Sequence, residues 1–287
     1  MYAIGVDIGG TTIKLGCVQD GLNIIYRDRR QSPRDPAQMA QAIHSMVSVA
    51  ERKFPGAPVG ISCAGSMDNQ GYVTASQLGW QAAPLGPLLY EQFNRTLPME
   101  NDAMCALAAE HIHGALKGCD TGLLITLGTG IGGGIIVGGV PARGHMGLHG
   151  EVGHMITHAD GRPCSCGQNG CWEMYAAASK LREMAGGISV REAISRIRAG
   201  DLLDIWEAYV HEVVIGLSSL MMIFAPQIIA IGGGLSNAGD IVIGTFRQQV
   251  EQTSAFRTFN PFTQIVSAHF QNDAGILGAA ALAQLAG

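Results

Sequence analysis

The chain has 287 residues, of which 47% are hydrophobic and only 14% charged, and its formal net charge is −5. This balance excludes a largely disordered chain, and the lack of a Lys/Arg-rich run argues against a nucleic-acid-binding protein. The length is compatible with one large domain or two modest ones. Glycine is frequent, at 40 residues, and its tight clusters indicate backbone that approaches a ligand closely.

Neither export nor membrane insertion is predicted. No basic region precedes the apolar run at residues 2–6, so a secretory leader is not expected. Residues 213–231 are the most apolar stretch, but Pro226 and Gln227 interrupt it, which favours a buried helix followed by a buried strand. We therefore expect a cytoplasmic protein without a membrane partner.

The first part of the chain mixes predicted strands with helices. Strands are predicted for the apolar runs at residues 1–7, 12–18, 23–29, 59–62 and 97–100. Gly9 and Gly10 turn the chain between the first two strands. Asp35 and Pro36 predict the start of a helix, with Asp35 as its N-cap. A second helix, at residues 103–115, follows the last of these strands.

A similar order of elements begins again near residue 122. Strands are predicted at residues 122–127, 135–137, 228–231 and 264–268, and helices at residues 174–185, 190–199, 202–224, 240–253 and from 274. This repetition predicts two α/β domains, residues 1–115 and 116–287, whose glycine turns face each other across a ligand cleft. The terminal helix is a candidate to pack back on the first domain.

Residues 7–14, Asp-Ile-Gly-Gly-Thr-Thr-Ile-Lys, form the first candidate site. Glycines between two strands let backbone N–H groups point at phosphate oxygens, and the threonine hydroxyls add donors. The motif is neither a Walker loop nor a Rossmann fingerprint, because it lacks the Gly-Lys-Ser/Thr ending and a strand follows its glycines. Asp7 could hold Mg²⁺, while a plain glycine hairpin with a buried aspartate is the alternative. The nucleotide-contacting candidates are Asp7, Gly9, Gly10, Thr11, Thr12 and Lys14.

Two further glycine clusters follow predicted strands. Residues 127–134 read Leu-Gly-Thr-Gly-Ile-Gly-Gly-Gly, and residues 232–234 are all glycine. The same physical argument favours phosphate contacts, and the three turns together indicate three contacts on one nucleotide. Tight packing is the alternative for each cluster taken separately. The candidates are Thr129, Gly130, Gly132 and Gly233.

Glu100-Asn101-Asp102 lies between a predicted strand and a predicted helix. A carboxylate at a helix N-terminus is favoured in its ionised form. An ionised Asp102 within hydrogen-bond reach of a hydroxyl could accept its proton as that oxygen attacks phosphorus. The alternative is a capping role, since Asn and Asp are favoured N-cap residues.

One imidazole and three thiols are concentrated between residues 154 and 171. His154, Cys164, Cys166 and Cys171 form a Cys₃His set, which gives zinc a closed tetrahedral site and so a structural role. Disulfide pairing is the alternative, and it fits poorly with a chain for which no export is predicted.

Two glutamates flank this set, Glu151 before it and Glu173 after it. Paired carboxylates suit the vicinal hydroxyls of a sugar, and a metal would tie the two segments together. Two solvated glutamates are the alternative. Trp80 could line a sugar site, although a plain packing role explains it equally well.

Taken together, these motifs resemble the ROK family, which is named for its repressors, open reading frames and kinases. The resemblance covers essentially the whole chain and rests on six motifs in order: residues 7–14, 100–103, 127–134, 150–154, 164–173 and 231–234. It implies an actin-like (ribonuclease H-like) α/β ATPase fold with two domains, usually assembled as a homodimer. It also implies ATP, Mg²⁺ and a hexose in the interdomain cleft.

The resemblance assigns roles position by position. Asp102 corresponds to the catalytic base, and His154 to a zinc ligand together with the three cysteines. The sugar contacts correspond to Gly65, Asn101, Glu151, His154 and Glu173, and the nucleotide contacts to Gly9–Thr12, Thr129, Gly130 and Gly233. The expected activity is ATP-dependent phosphorylation of a hexose hydroxyl, with O6 of glucose or a close relative as the acceptor.

Other acceptors and one other class of function stay open. N-acetylmannosamine, fructose and β-glucoside kinases are the alternatives, with specificity expected from residues 64–80 and 143–150. Many family glucokinases have Pro-Gly where this chain has Ala64-Gly65, and an asparagine where it has Ser76 or Gln77, which weakens the case for glucose in particular. A sugar-sensing ROK regulator is disfavoured, because the first predicted strand leaves no room for a preceding DNA-binding domain.

Overall fold

The computed structural model describes residues 1–145 and 150–286. The first part contains β1 (Tyr2–Ile8), β2 (Thr12–Gln19), β3 (Asn23–Gln31), α1 (Pro36–Lys53), β4 (Val59–Cys63), β5 (Ser66–Met67), β6 (Val73–Ala75), β7 (Trp80–Ala83), α2 (Leu85–Phe93), β8 (Met99–Asn101) and α3 (Asp102–His113). The second part contains β9 (Gly122–Leu127), β10 (Ile131–Val137), β11 (Val140–Pro141), α4 (Glu173–Ala176), α5 (Ala178–Met184), α6 (Val190–Arg198), α7 (Leu203–Phe224), β12 (Ile228–Gly232), α8 (Asp240–Val250), β13 (Gln264–Ser267) and α9 (Ala274–Ala286).

The local start signals of the helices act as the sequence predicts. The Asp35 carboxylate accepts a hydrogen bond from the Gln38 backbone N–H at 2.9 Å and caps α1, which has Pro36 as its first residue. Ser189 caps α6 by accepting from the Glu192 N–H at 3.1 Å. These bonds satisfy N–H groups that the first turn of a helix leaves without an intrahelical partner.

Three sequence predictions need correction. The second glycine turn is shorter than predicted, because β10 begins at Ile131 and includes Gly132, Gly133 and Gly134. A Cβ on Gly133 would lie 2.5 Å from a Val152 side-chain carbon, so the glycines here allow close packing on a strand. The helix predicted at residues 174–185 is broken into α4 and α5, and β5, β6, β7 and α2 were not predicted at all.

The chain divides into two compact units. Unit 1 comprises residues 1–113, 143–145 and 273–286 of the described chain, and unit 2 comprises residues 114–142 and 150–272. Unit 1 therefore includes α9, which packs against β1, β4 and α3.

Unit 1 is built on a five-stranded sheet in the order β3-β2-β1-β4-β8. The hairpin β1–β2 is antiparallel, with Asp7 opposite Lys14, whereas β1, β4 and β8 are parallel. Parallel pairing places Asp7 beside Ser62, and Cys63 beside Asn101. The carboxyl ends of these three strands consequently meet at one edge of the sheet.

Unit 2 repeats this arrangement with other residues. Its sheet has the order β11-β10-β9-β12-β13, with β9 antiparallel to β10 and parallel to β12. The core includes Trp172, Tyr209 and Phe246, all fully buried. Each sheet thus begins with an antiparallel hairpin and continues into parallel strands, which is the internal repetition that the sequence predicts.

The helix α7 is long and apolar enough to cross a membrane by length and composition, and 44% of its most apolar window is buried within the protein. Its side chains at Val213, Leu217 and Leu220 belong to the core of unit 2. Residues 225–227 separate it from β12, so the apolar stretch is a core helix followed by a buried strand, as predicted.

Glycine permits α9 to lie directly on the rest of unit 1. A Cβ on Gly5 or Gly60 would overlap backbone carbonyl groups of α9, and a Cβ on Gly278 would overlap the Cys105 carbonyl of α3. Because both partners are main chain, no side-chain rotation can relieve these overlaps. The contact of α9 with the sheet therefore requires glycine at Gly5 and Gly60, and its contact with α3 requires glycine at Gly278.

Replacing Gly278 with alanine should lower the free energy of unfolding by about 2 kcal/mol or more, because α9 must move away from α3. Thermal or urea unfolding of the purified variant measures this change. Gly244→Ala is the matched control, since Gly244 lies in α8 with no atom within 4 Å of an added Cβ. It should stabilise the protein by about 0.5–1 kcal/mol. Equal unfolding midpoints for the two variants would contradict the close contact.

Candidate active site

The first glycine turn joins β1 to β2 at the carboxyl edge of the unit 1 sheet. The Gly9 N–H donates to the Thr12 carbonyl at 3.0 Å, which closes a tight turn. A Cβ on Gly10 would lie 3.0 Å from Cβ of Gln77, so the Gln77 side chain lies against this turn. Thr11 is exposed. The turn presents backbone and hydroxyl donors of the kind that bind phosphate.

Asp7 lies beneath this turn and is mostly buried, with 14% of its side chain exposed. Lys14 Nζ donates to one carboxylate oxygen at 3.0 Å, and Ser62 Oγ donates to the other at 3.1 Å. The two bonds hold both carboxylate oxygens and fix the orientation of the side chain. An oxygen ligand so placed fits Mg²⁺ held directly or through water, since Mg²⁺ keeps several waters when bound.

Gly65 lies two residues beyond the end of β4, and it contacts Asn101, the last residue of β8. Gly65 has φ of +97°, and a Cβ there would overlap the Thr74 carbonyl, so only glycine fits. Asn101 Nδ2 donates to the Gly65 carbonyl at 2.9 Å, while Asn101 Oδ1 accepts from Ala103 N–H at 2.9 Å. Asn101 is therefore the residue that caps α3, and one Nδ2 hydrogen is left for a ligand.

Asp102 is the first residue of α3, and its side chain is exposed. One carboxylate oxygen accepts from the Ala103 backbone N–H at 2.9 Å. The α3 dipole favours a negative charge at this position. The N–H groups of Ala103 and Met104 donate to Asn101 Oδ1, so the start of α3 does not depend on Asp102 alone for its cap.

The raised pKa values of two buried thiols indicate that the carboxylates at this edge of the sheet lie near one another. Burial raises the pKa of Cys63, and the negative charges of Asp102 and Asp7 raise it further. Burial also raises the pKa of Cys105, and the same two carboxylates act there together with Glu100. Asp7, Glu100 and Asp102 are thus close enough to influence the same buried groups.

In unit 2 the second and third glycine clusters lie side by side. Gly128 N–H donates to the Gly130 carbonyl at 3.0 Å, which forms the turn between β9 and β10. Gly233 follows β12 with φ of +83°, and a Cβ there would overlap backbone atoms of Leu127. The structure therefore brings Thr129, Gly130 and Gly233 to one edge of the unit 2 sheet. Gly132 lies within β10.

The Cys₃His set is assembled within unit 2. The ligand atoms of His154, Cys164, Cys166 and Cys171 all lie within 4.8 Å of one another. Cys166 Sγ is 3.5 Å from Cys171 Sγ, and Cys164 Sγ is 3.6 Å from His154 Nδ1, so the cysteines are not paired as disulfides. Tetrahedral zinc with Zn–S bonds of about 2.3 Å separates its ligand atoms by roughly 3.8 Å, so the set fits zinc in type and spacing.

Burial raises the pKa of Cys164, and it raises the pKa of Cys171 to about 12. The Gln168 backbone N–H lowers the pKa of Cys166, which is exposed. A bound cation would favour the thiolate form of all three, because thiolates are the form that ligates zinc.

Glu173 connects the Cys₃His set to the second glycine turn. Its Oε1 lies 3.2 Å from Cys164 Sγ and 3.6 Å from His154 Nδ1. Its Oε2 accepts from the Ile131 N–H at 3.4 Å, and a Cβ on Gly130 would lie 2.5 Å from it. The carboxylate is only 17% exposed. Glu173 is consequently a bridge inside unit 2.

Glu151 has a different environment from Glu173. It is 59% exposed, and its Oε2 lies 3.8 Å from His154 Nε2. The short helical turn Val152–His154 carries His154 toward the cysteines and leaves Glu151 at the surface. Its carboxylate is accessible to hydroxyl groups of a ligand.

Sequence reasoning missed several residues that hold these groups. Ser62 and Ser179 were not singled out, although Ser62 binds Asp7 and Ser179 Oγ donates to the Thr129 carbonyl at 2.7 Å. A hydroxyl at the end of a strand parallel to β1 was the available signal for Ser62. Trp80 is 5% exposed, and its Nε1 donates to the Arg34 carbonyl at 2.6 Å, so its role in the protein is packing.

Comparison with known proteins adds a whole-length likeness. The ROK family model matches residues 3–286. A glucokinase of Streptomyces coelicolor is 33% identical over 98% of this chain and 97% of its own length. An N-acetylmannosamine kinase of Escherichia coli is 31% identical over 99% of each chain.

The same likeness holds in three dimensions. The ROK family glucokinase of Streptomyces griseus, solved in complex with glucose and AMPPNP, has a TM-score of 0.86 and 31% identity. The match covers 99% of this chain and 100% of that one. The predicted actin-like α/β fold is confirmed by this match. With the family's motifs present in order and its model matched from residue 3 to residue 286, the chain belongs to the ROK family.

Proposed function

We propose that this protein is an ATP-dependent kinase that phosphorylates a hexose hydroxyl. The observation that carries the proposal is the whole-length match to glucokinases, one of which was solved with glucose and AMPPNP. The geometry supports it, because each unit presents a glycine turn suited to phosphate, and unit 1 presents Asp102 at a helix start.

In the proposed reaction Asp102 is the general base. The acceptor hydroxyl oxygen attacks the γ-phosphorus of ATP, the bond from that phosphorus to the β–γ bridging oxygen breaks, and ADP leaves. The hydroxyl proton passes to the Asp102 carboxylate, so charge does not build up on the attacking oxygen. Backbone N–H groups of the glycine turns hold the phosphates and stabilise their charge.

Mg²⁺ would neutralise phosphate charge when bound, and Asp7 is the residue that would hold it. Lys14 and Ser62 hold the Asp7 carboxylate in the orientation for that role. The nucleotide contacts in this proposal are Gly9, Gly10, Thr11, Thr12, Lys14, Thr129, Gly130, Gly132 and Gly233.

The proposed sugar contacts are Gly65, Asn101, Glu151, His154 and Glu173. Asn101 keeps one Nδ2 hydrogen for a hydroxyl, and Glu151 is exposed. Glu173 contributes chiefly by fixing His154 and the second glycine turn relative to each other.

The identity of the hexose is proposed as glucose or a close relative, and N-acetylmannosamine is the second candidate. The Escherichia coli N-acetylmannosamine kinase supports the second candidate, since its identity to this chain and the length covered are close to those of the glucokinase. Of the expected specificity segments, residues 64–80 lie in the described part of unit 1. Of the second segment, residues 143–150, residues 146–149 lie outside the described residues.

A coupled assay of ADP release over a panel of hexoses tests the activity. We expect ADP release that depends on one of these sugars, and Asp102→Asn should reduce kcat by at least about 10²-fold, in the range of a general base's contribution. Sugar binding measured by calorimetry should survive in this variant, because the amide keeps the shape of the carboxylate.

Asp35→Asn is the matched control, since it removes one negative charge from another helix start of unit 1 and keeps a good N-cap. It should leave kcat within about twofold of wild type. A wild-type protein without sugar-dependent ADP release would contradict the kinase function. An active Asp102→Asn variant would contradict only the assignment of the base.

We propose further that the Cys₃His set holds one structural zinc. Four protein ligands leave no open position, so the metal would order residues 154–173 rather than take part in the chemistry. Zinc would also hold His154 to Cys164, Cys166 and Cys171, and so fix the segment that leads to Glu173.

Cys166→Ser tests the zinc proposal with little disturbance of packing, because Cys166 is exposed. We expect about one zinc per chain in the wild type and a clear loss in the variant, with a lower unfolding midpoint. Elemental analysis and thermal unfolding measure the two effects. Cys119→Ala is the control, since it removes a buried thiol outside the set. Full zinc content in Cys166→Ser would show that the ligand set is wrong.

The assembly we propose is a cytoplasmic homodimer, as the family resemblance implies. Unit 2 offers apolar surface for it, since Met222, Ile223, Phe259 and Phe262 are each at least half exposed. Light scattering that gave the mass of a single chain would contradict the dimer.

A further inference from the structure

Glu100 is a largely buried carboxylate next to the proposed catalytic base. Its side chain is 15% exposed, and both of its oxygens have partners. Oε1 accepts from the Asn101 backbone N–H at 3.0 Å, and Oε2 lies 2.9 Å from Arg143 Nη2. An ionised carboxylate this far buried is tolerated because it is paired in this way.

The Asn101 backbone N–H, which donates to Glu100 Oε1, belongs to the peptide that links residues 100 and 101, one peptide before Asp102. Asn101 is also held through its side chain, by the Gly65 carbonyl and by the first N–H groups of α3. The orientation of Asp102 therefore depends on the end of β8, where Glu100 accepts from the Asn101 N–H and pairs with Arg143. A small displacement of that strand end would move the base relative to its substrate.

Arg143 comes from a distant part of the sequence. Residues 143–145 belong to unit 1, although the residues before and after them, 142 and 150, belong to unit 2. Arg143 is 58% exposed, so its cation is far more accessible to solvent than the Glu100 carboxylate. The cation pairs with a carboxylate that would otherwise place a second negative charge two positions before Asp102 in the sequence.

Other titratable groups at this edge of the sheet have environments of their own. Asp7 is paired with Lys14, and the two thiols that face the carboxylates, Cys63 and Cys105, have a raised pKa because they are buried. Neutral thiols do not compensate charge. Arg143 is thus the cation that the structure supplies to Glu100.

We propose that Glu100 and Arg143 form a positioning pair, which orients Asn101–Asp102 and cancels the charge of Glu100 next to the base. This inference rests on the proposed kinase function. It adds two positioning residues, neither of which touches the reacting atoms.

Four variants test the pair. Arg143→Gln removes the cation, Arg143→Lys keeps it, and Glu100→Gln removes the charge but keeps an acceptor for the Asn101 N–H. The double variant Arg143→Gln/Glu100→Gln removes both charges. Arg95→Gln is the matched control, because Arg95 and Glu51 form another Arg–Glu pair of unit 1, with 49% of Arg95 exposed.

We expect Arg143→Gln to lower kcat about tenfold, since small displacements of catalytic groups are costly. Its acid limb of kcat/KM against pH should move to higher pH, because the uncompensated Glu100 charge favours protonation of a neighbouring base. Glu100→Gln should move that limb to lower pH, and the double variant should return it close to wild type. Arg143→Lys should recover most of the activity.

A structural role alone would lower the activity of each variant without moving the acid limb in opposite directions. Identical acid limbs in all variants, or additive losses in the double variant, would overturn the inference. Arg95→Gln should match wild type in kcat and in its pH profile. A wild type without hexose-dependent ADP release contradicts the proposed function, whereas an active wild type with an unaltered Arg143→Gln variant contradicts this inference alone.

Discussion

The helix α9 lies directly against the backbone of β1, β4 and α3, and glycine permits each of these contacts. Gly5 and Gly60 on the strands, and Gly278 on the helix, remove the side-chain atoms that would otherwise hold the backbones apart. Main-chain contact of this kind leaves little freedom to slide or tilt. This packing supports β1 and β4, whose carboxyl ends form part of the candidate site of unit 1.

Glycine has a related role at the candidate site itself. Gly65 and Gly233 have positive φ and lie against the backbone of Thr74 and Leu127 respectively. At both places an added Cβ would push a neighbouring strand away. The many glycines of this chain therefore serve two purposes, since some form tight turns and others allow backbone to meet backbone.

The buried carboxylates near Asp102 are paired with cations. Asp7 and Glu100 are each mostly buried, and each has a cation, Lys14 or Arg143. In unit 2, one Glu173 oxygen contacts the Cys₃His set and the other contacts the second glycine turn. Buried carboxylates are costly unless they are hydrogen-bonded or paired, so these partners both stabilise the site and fix its geometry.

The amino-acid sequence by itself determined the features that depend on neighbours in the chain. The glycine turns, the helix caps at Asp35 and Ser189, and the Cys₃His set could be read because short loops leave few alternative arrangements. Periodicity likewise predicted most strands and helices, and the repeated order of elements predicted two related sheets.

Only the tertiary structure decided which distant residues meet. Ser62 reaches Asp7 because β4 is parallel to β1, and Arg143 reaches Glu100 across 43 positions. The strand β10 continues through glycines that looked like a turn, because Gly132, Gly133 and Gly134 pair with residues of β9. Local sequence limits backbone conformation, but strand register and long-range ion pairs are set by packing between segments, which no local pattern records.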